Sequence, residues 1–162
     1  MGRLNYDHIK SIFDLVNSPY PFIYDGKPNK GSWFGLLIKP NALSIFKEDE
    51  RKINDWFRIV TTKDIPIKEK FEILKSEKYY IKGLGIGFQT LILYLLDKNS
   101  YLIWFKGQHD GLRIVCTNLV KYNGKINQYF DYLDAAKYVA SKYKFEPTEL
   151  DFVFTRFPKL VD

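Results

Sequence analysis
The chain is 162 residues long, with 46% hydrophobic and 27% charged residues. That is enough for one domain with a proper core, too little for two comfortable ones, and it excludes disorder over most of the length. The formal charge of +6 and the 17% aromatic share point toward a polyanion, because basic surfaces release counterions and rings stack on bases, although AT-rich coding or thermophily also yields such a composition.

The first predicted helix is "NYDHIKSIFDLVNS", where Ile9, Ile12, Phe13 and Val16 recur at i, i+3, i+4 and i+7 and Pro19 stops the run. Residues 19–41, "PYPFIYDGKPNKGSWFGLLIKPN", are rich in Pro and Gly and read as an extended loop, with "SWFGLLI" a candidate short strand. The loop carries Tyr20, Phe22, Tyr24, Trp33 and Phe34 with Lys27 and Lys30 between them, and long irregular segments are often functional.

A second helix is expected over 42–60, with Ile53, Trp56, Phe57 and Val60 on one stripe. Asp64 reads as the N-cap of a third helix running to about Glu77, with Pro66 in its first turn. Phe71 and Leu74 should face inward there, and Lys68, Lys70, Lys75 and Lys78 should face water. After a glycine turn, a helix from Gly87 to about Leu96 should bury Phe88, Leu91, Ile92 and Leu95; its apolar run falls far short of the roughly 20 residues of a membrane span. "SYLIWF" reads as a short buried strand or extended segment, and 106–120 as a helix irregular near Gly107 and Gly111.

"INQYFDYLDAAKYVASKY" has the clearest helical period, with Ile126, Phe130, Leu133, Ala136 and Ala140 on its inner side. In "EPTELDFVFTRF", Pro147 suits the first helical position, and Leu150, Phe154 and Phe157 should dock the turn. The expected fold is mainly α: six or seven helices around one core with at most two or three short strands. A single domain over 1–162 is expected, with a helix and aromatic loop over 1–41 and a helical module over 42–157. No basic-then-apolar leader opens the sequence, so a cytoplasmic protein is expected.

The stretch with the most chemical content is "IKGLGIGFQTLILYLL" at 81–96. "LGIG" at 84–87, entered from one helix and leaving into another, matches the turn of a helix-hairpin-helix unit. Glycine brings main-chain N–H groups to the surface with no Cβ in the way, and these converge with the unpaired donors and partial positive charge of a helix start. Gly83, Gly85 and Gly87 supply the backbone, Lys82 a point charge, and Gln89 and Thr90 candidate donors, while Ile86 is expected to plug into the core. Such contacts position a protein on the nucleic-acid backbone without reading sequence. The alternative is a glycine-rich connection with no ligand. The pattern is not a P-loop, since G-x-x-x-x-G-K-[ST] is absent, and a dinucleotide fingerprint would need a preceding strand. In the aromatic loop, Tyr24, Trp33 and Phe34 suit base stacking, with Lys27 and Lys30 as phosphate contacts; the alternative is that these rings are core. Trp56 and Trp104 sit on apolar stripes and are expected in the core.

"IKGLGIGFQTLILYLLDKNSYLIWF" resembles a segment of the modules attached to McrBC-type and related AAA+ restriction systems. In these, a lysine and glycine turn, a helix and a short loop lead into Y-P-[IV]-[WF]-[DN]. "YFDYLDAAKYVASKYKFEPTELDFVFTRF" is similar to the end of the same module, where L-x-x-x-E-L-D follows a helix with a buried aromatic face; the matching positions are Phe145, Glu149, Leu150, Asp151 and Phe154. The resemblance covers roughly 45–157 and departs at Leu102, where proline is usual, and at Phe105, where Asp or Asn is usual. It implies a DNA-recognition domain for double-stranded, perhaps methylated, DNA, with a GTPase or ATPase motor and a nuclease in the same chain or complex.

The turn also resembles that of helix-hairpin-helix DNA glycosylases, which place a catalytic Asp after the second helix. Here 101–105 holds no carboxylate, and Asp97 and Asp110 flank it. A single cysteine excludes their four-cysteine cluster and, with only His8 and His109 beside it, a zinc cage. "KEDE" at 47–50 and "ELD" at 149–151 read as surface charge, and Cys116 as a small buried residue. The expectation is therefore a non-enzymatic domain without metal or cofactor. A repair glycosylase is one alternative, and an interaction module docking a protein through its aromatic loop is another.

Overall fold
The computed structural model of the chain describes residues 4–17, 22–24, 27–29, 49–146 and 149–150. Among them the fold is mainly helical, with six helices and one two-stranded hairpin. In chain order these are α1 (Tyr6–Asn17), β1 (Phe22–Tyr24), β2 (Lys27–Asn29), α2 (Glu50–Thr61), α3 (Ile67–Lys75), α4 (Ile86–Leu96), α5 (Lys106–Val115) and α6 (Ile126–Tyr143). The chain divides into two compact units, 1–88 and 89–162.

In the first unit, Ile9 is buried on α1, and the main chain of Leu4 is held by Asn54 of α2, which accepts from Leu4 N at 2.7 Å and donates to Leu4 O at 2.8 Å. β1 and β2 pair antiparallel, with Tyr24 opposite Lys27 and Pro28 opposite Ile23. The hairpin falls in the stretch expected as loop; the expected strand "SWFGLLI" lies outside the described residues. Asp49 caps α2 by accepting from Lys52 N at 2.8 Å, which satisfies an amide donor that the helix start leaves open. Ile53, Trp56, Phe57 and Val60 are buried as their spacing predicts. Trp56 and Phe57 gather with Phe88 at ring separations of 5.2 to 6.3 Å.

α3 departs from expectation twice. It starts after Pro66, not at Asp64: a proline disfavours the helical conformation for the residue before it, so Ile65 is excluded. Lys70, expected in water, is 6% exposed and donates from Nζ to Val60 O at 2.8 Å. A cation at the carbonyl end of α2 meets its partial negative charge, and burial holds the Lys70 pKa below its ordinary 10.5.

In the second unit, residues 101–105 form no ladder, yet Leu102, Ile103 and Trp104 are buried. Their main chain is satisfied by side chains instead: Tyr129 Oη–H donates to Leu102 O (3.1 Å), Tyr132 Oη–H to Ile103 O (3.3 Å), and Trp104 N–H to Thr90 Oγ1 (3.0 Å). Those bonds let an irregular segment run through a core. His109 is a core residue too, accepting at Nδ1 from Trp104 Nε1–H (3.1 Å) and therefore donating from Nε2 to Val120 O (2.8 Å). It stacks on Tyr132 at 5.9 Å.

α5 ends at Val115, short of the expected 120; Cys116 and Leu119 are buried in the turn that follows. α6 buries Ile126, Tyr129, Tyr132, Leu133, Ala136 and Val139, whereas Phe130 and Ala140, expected inside, are half-buried. It stops where Lys144 takes a left-handed φ of 59°. Glu149 then accepts from Glu146 N at 2.8 Å, as in a capping box, and Leu150 is buried. Phe154, Phe157 and Pro147 lie outside the described residues.

Candidate nucleic-acid interface
The connection from α3 to α4 is pinned from beneath by two apolar residues. Ile81 and Leu84 are both buried, and Leu84 N–H donates to Ile81 O at 3.1 Å, closing a four-residue turn. Lys82 and Gly83 form its exposed tip. Gly83 has φ +100°, the third-position conformation that makes a turn of this kind select glycine. The anchors are thus Ile81 and Leu84; Ile86, expected as the plug, is only half-buried, because it is the first residue of α4 and still at the surface.

Gly85 follows, exposed, and a Cβ built on it would meet nothing within 4 Å. Phe88 N–H turns back onto Gly85 O at 3.0 Å. Among the described residues, the amides of Gly85 and Ile86 donate to no acceptor. Two open donors therefore stand at the positive end of an 11-residue helix, next in the chain to an exposed lysine turn and, among the described residues, with nothing within 4 Å of where a Gly85 Cβ would lie. Those are the elements of an anion site.

The other expected donors turn inward. Thr90 is fully buried and its Oγ1 receives the Trp104 amide; Gln89 is 6% exposed. Neither side chain is available to a phosphate, because one helical turn past the start the helix faces its core. Gly87 is half-buried and shares other interactions. Leu95, expected in the core, is 64% exposed.

No protein-family model, curated protein or solved structure matches the chain.

Around the turn, Lys78 is exposed and stands 4.8 Å over the Tyr79 ring. Lys52 reaches the same connection, donating from Nζ to Glu77 O at 3.4 Å. Tyr80 is 56% exposed between Lys78 and Lys82, an aromatic outside the expected contact set. Its exposure has no sequence signal, since its neighbour Ile81 is buried.

Of the aromatic-loop residues, Trp33, Phe34 and Lys30 lie outside the described residues, and Tyr24 and Lys27 are described only as paired backbone of the hairpin. The two acids weighed for catalysis have local work. Asp97 Oδ1 accepts from Asn99 N (3.1 Å) and Ser100 N (3.2 Å), and hydrogen bonding, from the Ser100 side chain above all, holds its pKa below the usual range. Asp110 pairs with Lys106 at 2.6 Å and Arg113 at 3.8 Å. Among the described residues no group of three His, Cys, Asp or Glu is placed to hold a metal ion, and no helix is long and apolar enough to cross a membrane.

Proposed function
We propose that this chain is a DNA-binding recognition domain that grips the phosphate backbone through the turn between α3 and α4. The observation that carries the reading is the pair of open amides on Gly85 and Ile86 at the start of α4, beside exposed Lys82. A phosphate oxygen approaching the Gly85 face meets no Cβ and gains two main-chain donors, a helix start and an ammonium. The net charge of +6 supplies long-range attraction to the same partner.

The contact set is Lys82, Gly83, Gly85 and Ile86, with Lys78 and Tyr80 on its approach. In keeping with the resemblance of 45–157 to modification-dependent restriction modules, we read it as a cytoplasmic domain serving a nucleotide-driven motor and a nuclease in the same chain or complex. Base inspection would then fall to the aromatic loop, through Tyr24, Trp33 and Phe34. The test is a binding titration against unmodified, 5-methylcytosine and N6-methyladenine duplexes of one sequence at fixed salt. Binding to all three, tighter for one of the modified duplexes, is expected; no binding to any duplex at low salt contradicts the reading.

A further inference from the structure
The second unit carries an open groove of about 800 Å³ that the DNA reading does not use. Its walls are residues 115–120, after α5, and one face of α6. Along α6 that face presents Asp131, Asp134, Ala135, Tyr138 and Lys142; all but Asp134, which stands beside the row, follow successive spacings of four, three and four residues. This is the recurrence of a seam between two helices packed along their length. Val115, Val120 and Tyr138 are 42, 59 and 61% exposed, so apolar surface in the groove is left to water. Asp131 and Lys142 form no ion pair among the described residues; Lys142 stands over the rings of Tyr138 and Tyr143 at 5.7 and 5.3 Å.

The order of charges selects the occupant. A carboxylate stands at the N-terminal end of the seam and an ammonium at the other. A second α6 laid antiparallel about a two-fold axis between residues 136 and 137 sets each Asp131 against the partner's Lys142. The same axis sets each Ala135 against the partner's Tyr138, a small residue facing a large ring. One surface thus pairs its own Asp131 with its own Lys142 and fills its own hollow, with exposed Asp134 left at the rim, which is the condition for an isologous interface. We propose that the chain forms an antiparallel homodimer through α6, with the apolar residues of 115–120 covering the flanks of the helix pair. This inference does not rest on the DNA reading, and its failure leaves that reading untouched.

Sedimentation equilibrium of the full chain tests it. A monomer–dimer equilibrium is expected for the natural sequence. Asp131→Lys and Lys142→Asp alone should each raise the dissociation constant about tenfold or more, since either one sets like charges together twice in every dimer. The double variant should return it close to the starting value. Circular dichroism should not change, because both side chains are at the surface. A chain that stays monomeric at every loading concentration overturns the proposal, as does a dimer that neither reversal weakens or that the double variant fails to restore.

Discussion
A methyl group placed on Gly85 would meet no heavy atom within 4 Å, whereas one on Gly83 would put an L side chain at φ +100°. The two glycines therefore separate fold from ligand. Gly83→Ala should cost about 1–2 kcal/mol of stability by strain, read by urea denaturation. Gly85→Ala should leave the urea midpoint unchanged and weaken duplex binding about tenfold or more, the size of a lost charge-assisted hydrogen bond. Lys70 makes a different kind of statement. With its pKa lowered by burial from 10.5, the unfolded chain holds the proton more tightly than the folded one, so this group's share of stability rises with pH toward 10.5. Tyr122 opposes it, because burial raises its phenol above 10.0 and stability is lost as that proton leaves the unfolded chain first. Lys70→Met should therefore remove the rising part alone, seen as a fall in stability relative to the natural protein as the pH is raised through the alkaline range.

At the scale of elements, residues 101–105 depend on three hydroxyl groups brought from α4 and α6. Tyr129→Phe and Tyr132→Phe should each cost about 1–3 kcal/mol by orphaning a buried carbonyl, and amide exchange at 102–104 should quicken in both. The helices were legible because their apolar residues repeat every three or four positions, as Ile53, Trp56, Phe57 and Val60 show on α2. The segment 101–105 was legible as buried, but the choice between strand and extended segment was open, since nothing local announces that Tyr129 and Tyr132, 27 and 29 residues on, supply its hydrogen bonds. The pairing of β1 with β2 was not expected because Pro28 argues against a strand. Lys70 was missed because a lysine on a helix reads as solvent-facing until the carbonyl it caps, ten residues earlier, is known.

At the scale of the molecule, the proposed grip, with a charge of +6 behind it, predicts salt-dependent binding. The logarithm of the duplex association constant should fall linearly with the logarithm of salt concentration, and Lys82→Ala should lower the slope by about one, the share of a single phosphate. The place of the candidate site was legible in the sequence, because three glycines just ahead of an apolar run mark a helix start approached by bare backbone. Its orientation was not. Gln89 and Thr90 lie within the first turn or so of α4 yet face the core, and periodicity alone cannot say which side of a nearly all-apolar helix is solvent. The most direct measurement is amide chemical-shift mapping on 15N-labelled protein as a short duplex is titrated in. The account predicts that the N–H signals of Gly83, Gly85 and Ile86 move first and furthest, with the side chain of Lys82 responding alongside. A complex that forms while those amides stay still would contradict it.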